Sequence, residues 1–470
     1  MSATSVTIDS KPRVRGRVRG SNWTWVPIVF LAYSLLYDNS TSTPSAAGAS
    51  WTQFLELPRE IRIVEAVCVL ITVLVLLDRT LSKFSRKLLL AVVAFSALAV
   101  ASHITHPLVS LIDVFRLTYA YILPLLIFVI GREARLNARS RKLIWRFVLG
   151  WVILNAVVSW YQFAWLGYPV GDDITGLNKD AHANGNLMFF TSLMFVASAL
   201  FQRRKKLIFG AIALVVTAIL SSVLKSLVFS FFGFMLIVWV NISSQATSTG
   251  RKMKAGFRKR LVPITAAVVL LIVGGFAFSD IDRNSSARVG DVFTKLSANP
   301  LNFGPIAAHV ASLGVVATSG KTFLVGNGPY SYANPISVGQ GLGAGQLAKF
   351  AQSSLLPQAF ESGESTKITL TSCVLAELGF PAFVILVWAY LAIGLAVWRA
   401  RQSTDPEQVA FATGLTGWWL ILILTALMSM FGSLDIISIS WPVMFLAGMT
   451  CRIGSGETEL SRRQPGTAPR

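Results

Sequence analysis

Charge is what this sequence has least of. Asp, Glu, Lys and Arg make up 14% of the 470 residues, against about 25% in soluble domains. Hydrophobic residues make up 53%, and mean hydropathy is +0.60. That deficit excludes an ordinary soluble domain and implies a polytopic membrane protein. Cysteine is scarcer still, with three residues in the chain. Cys68, Cys373 and Cys451 all lie in or at the ends of apolar runs, which excludes a disulfide framework and offers no zinc set. Acidic residues are few, 22 against 42 Lys and Arg, for a net charge of +20. Nucleic-acid binding would require those cations on one soluble face. They come instead in short clusters between apolar runs, as in cytoplasmic loops, so nucleic acid is not an expected partner. A small-residue cleavage site is missing after the first apolar run, and more such runs follow. That run is therefore read as a span and not as a cleaved leader.

What is present is a series of apolar runs separated by basic clusters. Residues 1–20 form a polar tail with Lys11, Arg13, Arg15, Arg17 and Arg19. Spans one to nine occupy 21–279: Trp23–Tyr37, Ile61–Leu77, Leu88–Ser102, Leu108–Ile130, Leu143–Leu166, His182–Phe201, Leu207–Val223, Leu227–Val240 and Leu261–Ser279. A long polar interval fills 280–366. Spans ten to twelve occupy 367–452, as Ile368–Trp398, Val409–Met430 and Ile436–Thr450, and 453–470 is a second basic tail. Most of the 42 Lys and Arg fall in the tails and even-numbered loops, which the positive-inside rule assigns to the cytoplasm. The expected fold is an all-α polytopic membrane protein of about twelve transmembrane helices. Both termini are expected to be cytoplasmic, with one large extracytoplasmic loop between spans nine and ten.

Two polar features stand where a bilayer penalises them, and a third fills the connection between spans five and six. Asp113 and Arg116 share one face of span four, at a depth where an ionisable group costs about 2.5–3.5 kcal/mol. They read either as a mutual ion pair or as a cation facing an anionic ligand. Lys225 interrupts Ser221-Ser-Val-Leu-Lys-Ser-Leu at a hairpin tip with no carboxylate nearby. A snorkelling lysine is one reading; a phosphate or sugar contact is favoured, because a partly desolvated ammonium acts over less-screened distances. Between Tyr168 and Gly185, Asp172, Asp173, Asp180 and His182 offer acceptors or a base. Asp180-x-His182 lacks a second histidine at ligand spacing, so no metal is expected. His182 serves equally well as a helix cap.

The interval Asp280–Thr366 is far longer than the roughly 12–15 residues beyond which a loop is usually functional. It contains Arg283, Arg288, His309, Lys321, Lys349, Glu361 and Glu364. Ser319-Gly-Lys-Thr imitates the end of a phosphate-binding loop, but Val315 stands where the first glycine belongs and no strand precedes it. Gly339, Gly341, Gly343 and Gly345 read as linker. Asn302–Val316 is apolar around His309 and suits a short helix lying as a lid over the spans, as does Ala344–Leu356. His309 is open to a structural or a catalytic reading.

Three segments carry a resemblance: Ser221-Ser-Val-Leu-Lys-Ser-Leu; Phe323-Leu-Val-Gly-Asn-Gly-Pro-Tyr-Ser-Tyr; and Glu361-Ser-Gly-Glu through Ala376-Glu-Leu-Gly-Phe. With the large loop between spans nine and ten, they resemble the bacterial O-antigen polymerase and O-antigen ligase superfamily of membrane glycosyltransferases. The ligase branch carries a His-Asn pair eleven residues before the glycine of its Glu-x-Gly. Counting back from Gly379 reaches Ile368, beside Lys367, so the polymerase branch is favoured.

The resemblance implies transfer of a glycan from undecaprenyl pyrophosphate to a sugar hydroxyl of a lipid-linked repeat unit, outside the bacterial plasma (inner) membrane, without cofactor or metal. The implied partners are that lipid-linked oligosaccharide, the bilayer, a flippase and a chain-length regulator. Arg116, Lys225 and Arg288, with Arg283 and Lys367, are the expected pyrophosphate- and glycan-binding cations. Glu361, Glu364, His182 and His309 are the available bases. A ligase-type transferase and a lipid-linked sugar flippase are the alternatives; the latter would show half-to-half repeat symmetry, which this sequence lacks.

Overall fold

The structure is a computed structural model, which describes residues 81–107, 111–133, 138–170, 174–177, 181–221, 224–248, 304–329, 369–428 and 442–453. Among these the chain is all helical, with no strand. In chain order the helices are α1 (Lys83–Thr105), α2 (Leu111–Glu133), α3 (Ala138–Ala164), α4 (Ala181–Phe201), α5 (Leu207–Leu220) and α6 (Leu224–Ser248). Then come α7 (Gly304–Val316), α8 (Gly320–Val325), α9 (Leu370–Arg399), α10 (Pro406–Met428) and α11 (Pro442–Ile453). Five of them are long and apolar enough to cross a bilayer. Their exposed side chains include Leu90, Ile104, Val157 and Leu395, an apolar exterior suited to lipid. The chain is a membrane protein. The expected spans one, two and nine lie outside the described residues.

Lipid tails are as apolar as leucine, so helices in a membrane associate through close packing at small residues. Here α2 and α11 cross at Gly131 and Gly448: a methyl on Gly131 would collide with the Phe445 carbonyl, and one on Gly448 with that of Phe128. α6 and α10 meet at Gly233 and Gly417, where an added methyl would lie 3.1–3.2 Å from the opposite carbonyl. Around these crossings the core fills with aromatics. Trp145 packs edge-on against Phe190 and Phe411, and Phe190 against Trp418.

The helix ends separate by chemistry. At one end lie Lys83, Arg132, Arg141, Arg399, Arg401 and Arg452. Contacts join several elements there: Ser82 and Ser85 donate to Glu133, and Arg452 Nη1 donates to the Arg132 carbonyl at 3.1 Å. α3 begins earlier than the expected span five, taking in Arg139, Arg141 and Lys142. Arg141 is 1% exposed. Its guanidinium stacks 4.6 Å from the Phe411 ring centroid, donates to Gln408 and lies 3.6 Å from Glu407. Glu407 also pairs with the half-exposed Lys142 at 2.9 Å. Arg141 is therefore a packing residue rather than a loop charge: enclosed guanidinium groups persist where stacking and hydrogen bonds replace water. The opposite end carries histidines, threonines, serines and amides, and it holds the candidate site.

Candidate active site

The organising feature is a break in α9. Pro381 has no N–H, so the carbonyl of Glu377 loses its helical donor, and Gly379 adopts φ +83°, ψ 174° within the helix. At membrane depth an unsatisfied backbone group costs several kcal/mol, so the freed carbonyls need other donors. The turn after α8 supplies them. Asn327 N–H donates to the Ala376 carbonyl at 3.0 Å, and Gly328 N–H to that of Glu377 at 3.2 Å. Ser102, near the end of α1, donates its hydroxyl to the same Glu377 carbonyl at 2.7 Å.

The two backbones interlock through glycine. Gly326 has φ +71°, and a methyl there would strike the Glu377 carbonyl. A methyl on Gly379 would lie 2.8 Å from the Gly326 nitrogen and the Leu324 carbonyl. Phe323 closes the joint by stacking on Phe380, centroids 5.0 Å apart. The Gly-Asn-Gly-Pro turn and the Glu-Leu-Gly-Phe segment are thus two halves of one clasp. Ser319, in the phosphate-loop look-alike, is instead the N-cap of α8, in a capping box with Thr322.

The break also redirects the first segment of α9. α9 rises about 28 Å from Thr371 to Tyr390, whereas α10 rises only about 10 Å from Trp419 to Ala426. Yet the Trp419 indole N–H bonds the Tyr390 carbonyl, and the Thr371 hydroxyl bonds the Ala426 carbonyl. A bend at Gly379 that carries the first segment across the end of α10 reconciles the two. There Thr371 meets His309 of α7, Nε2 to Oγ1 at 2.8 Å, with Thr369 Oγ1 at 3.3 Å from the same nitrogen. Thr369 is in turn the N-cap of α9, in a capping box with Ser372. The segment α7–α8 is held at both ends, by His309 at one and by the clasp at the other.

Beside this, a buried polar network anchors the connection between α3 and α4. Gln162 grips Gly176, accepting from its N–H at 2.9 Å and donating to its carbonyl at 3.2 Å. Asn155 accepts from Leu177 N–H at 2.9 Å. Asn184, fully buried, donates to Ser159 and Ser221 at 2.8 and 3.0 Å, tying α4 to α3 and to the end of α5.

The sequence-nominated residues distribute as follows. His309 is half-buried in the threonine network. Helix register places three more at this end. Phe190 faces Trp418 and Met194 lies against Gly414, so α4 and α10 run antiparallel; eight residues back along α4, His182 stands level with Ala426. By the same count from the Gly233–Gly417 crossing, Lys225 stands level with Thr425. It lies in the first turn of α6 and not at the hairpin tip, because that helix starts three residues before the expected span. Phe95 packs on Tyr121, which sets Arg116 opposite Val100, about 3 Å of helix rise from Ser102. Glu361, Glu364, Arg283, Arg288 and Lys367 lie outside the described residues.

Sequence reasoning misses His103, His106 and Asn184 at this end, and it reaches Glu377 only as part of a motif. Glu377 is fully buried, and a carboxylate in an apolar run two residues before a glycine is its signal. The His106 pKa is lowered by partial burial and then by the charge of Lys321. The imidazole just beyond α1 therefore favours its neutral form. Among the described residues no group of three His, Cys, Asp or Glu could hold a metal ion. No family model matches the chain, and no curated protein matches it either.

Proposed function

We propose that this protein is a surface-polysaccharide polymerase. It transfers a glycan chain from undecaprenyl pyrophosphate to a sugar hydroxyl of a lipid-linked repeat unit at the outer face of a bacterial plasma membrane. The observation that carries the reading is the clasp: two of the segments that bear the resemblance, far apart in sequence, pack as one unit. The membrane arrangement belongs to the same proposal: about twelve spans, cytoplasmic termini and an extracytoplasmic 280–366 loop that includes α7 and α8.

The chemistry needs two kinds of group. A leaving pyrophosphate gains negative charge, which fixed cations stabilise in a weakly screened site. Lys225 and Arg116, at the clasp end by register, fill that role together with Arg288, Arg283 and Lys367. The attacking hydroxyl needs a base, drawn from His309, His182, Glu361 and Glu364. Apolar helix faces around the site suit a polyprenyl tail.

The test in cells is substitution of the cations. Lys225→Ala and Arg288→Ala are expected to abolish polymer while the protein still inserts at normal levels. Normal chain length in both variants would remove these residues from the mechanism. Loss of transfer to a separate acceptor, with lipid-linked polymer still made, would indicate a ligase. Accumulation of repeat units on the cytoplasmic side would indicate a flippase.

A further inference from the structure

We infer that His103, His106 and Lys321 form a binding site for phosphate oxygens at the clasp end, and that it receives the pyrophosphate of the lipid-linked donor. The inference rests on the polymerase reading and adds residues to its anion-binding set. His103 and His106 lie three residues apart at the end of α1, on one face. His106 stands one helical turn beyond Ser102, and its N–H bonds the Ser102 carbonyl at 3.0 Å. The Ser102 hydroxyl meets the Glu377 carbonyl, which Gly328 N–H also meets. The clasp therefore draws α8 against the end of α1. This brings Lys321, exposed on the first turn of α8, beside His106.

The three side chains lack the partners their chemistry requires. Among the described residues, Nδ1 of His103 and Nε2 of His106 are enclosed without a hydrogen-bond partner. The ion pairs among the described residues, of Arg141 and Lys142 with Glu407, lie at the opposite end. A fixed cation beside an imidazole disfavours the imidazolium, and an anion between them reverses that effect. A water molecule would satisfy the ring nitrogens but leave the Lys321 charge uncompensated. Phosphate oxygens satisfy both, accepting from the ammonium and from imidazole N–H groups. The other charged groups around His106 are Glu377 of α9, fully buried, and Asp113 and Arg116 of α2. The Phe95–Tyr121 register sets those two level with His103 and Val100, and their charges offset each other.

The site couples anion binding to a proton. Without ligand, His106 is held below the ordinary histidine range by burial and by Lys321. A bound pyrophosphate favours the imidazolium and raises that value, so binding takes up a proton. Affinity is therefore highest at acid pH and falls as pH rises through the raised value.

The experiment is calorimetric titration of purified full-length protein with inorganic pyrophosphate, at about pH 5 and about pH 8. The parent is compared with Lys321→Ala, His106→Gln and a control at the opposite end, Lys205→Ala, which is exposed between α4 and α5. Lys321→Ala is expected to weaken binding about 10-fold and Lys205→Ala to leave it unchanged. His106→Gln is expected to bind with less pH dependence than the parent, the titration of pyrophosphate itself being common to both. All three variants should unfold like the parent. No binding by the parent, or parental affinity in both Lys321→Ala and His106→Gln, overturns the site. Bound pyrophosphate is then displaced with undecaprenyl pyrophosphate or with phosphatidylglycerol vesicles. Displacement by undecaprenyl pyrophosphate at the lower concentration supports the assignment to the donor; equal or better displacement by the vesicles overturns it in favour of bilayer headgroups. A parent that binds at this cluster yet makes no polymer would overturn the polymerase reading and leave the phosphate site standing.

Discussion

At the scale of single residues, the clasp depends on two glycines in conformations closed to other side chains. Gly326 combines φ +71° with ψ −166°, a region open essentially to glycine alone, where any other residue is strained by about 1–3 kcal/mol. Gly326→Ala adds a collision with the Glu377 carbonyl and is expected to lower the unfolding midpoint in detergent by several degrees. Gly320→Ala, with open space around its β-carbon, is the control and should unfold like the parent. A parental midpoint for Gly326→Ala would mean that the turn and α9 do not interlock. The Gly-Asn-Gly-Pro string is visible in the sequence as a turn. Its partner is not, because the carbonyls it satisfies are exposed only by a break some fifty residues later. His309 is likewise visible, but Thr369 and Thr371, which meet its ring, are remote in sequence. Charges in apolar runs are conspicuous; serine, threonine and asparagine are not, which is why Ser102 and Asn184 escape a reading of the sequence.

At the scale of elements, apolar runs indicate the order and rough extent of the helices. They fail where a charge is compensated inside the protein. Arg141 belongs to the first turns of α3 because Phe411, Gln408 and Glu407 enclose it, and composition alone reads such a residue as loop. α9 shows the opposite case: an unbroken apolar stretch that is two segments. Pro381 makes the break at Gly379 favourable by removing one donor. Pro381→Ala returns that donor, so the helix competes with Gly328 for the Glu377 carbonyl. The expected outcome is a straighter α9 and a looser turn, seen as faster hydrogen exchange at the Asn327 and Gly328 amides while α10 is unaffected. Unchanged protection at both amides would show that the turn holds independently of the proline. The first segment of α9, bent across the end of α10, links the clasp to His309. A loosened break should therefore disturb both ends of the α7–α8 segment together.

At the scale of the whole molecule, most basic residues of the described helices gather at one end and the hydrogen-bonding histidines, threonines and amides at the other. This follows from composition and the positive-inside rule, and it is legible in the order of residues alone. The convergence of His309, Lys225, His182 and Arg116 at the second end is not, since four residues on four helices become neighbours in depth only through register. The proposed reaction requires that convergence: cations for a pyrophosphate and a base for a hydroxyl, on one face, beside apolar walls. The most direct test is to reconstitute the purified protein in liposomes with an undecaprenyl-pyrophosphate-linked repeat unit and to resolve the products by size. A polymerase gives a ladder of lipid-linked oligomers with release of undecaprenyl pyrophosphate, lost in Lys225→Ala. Repeat units that remain single in the presence of well-folded protein, or that only change leaflet, would contradict it.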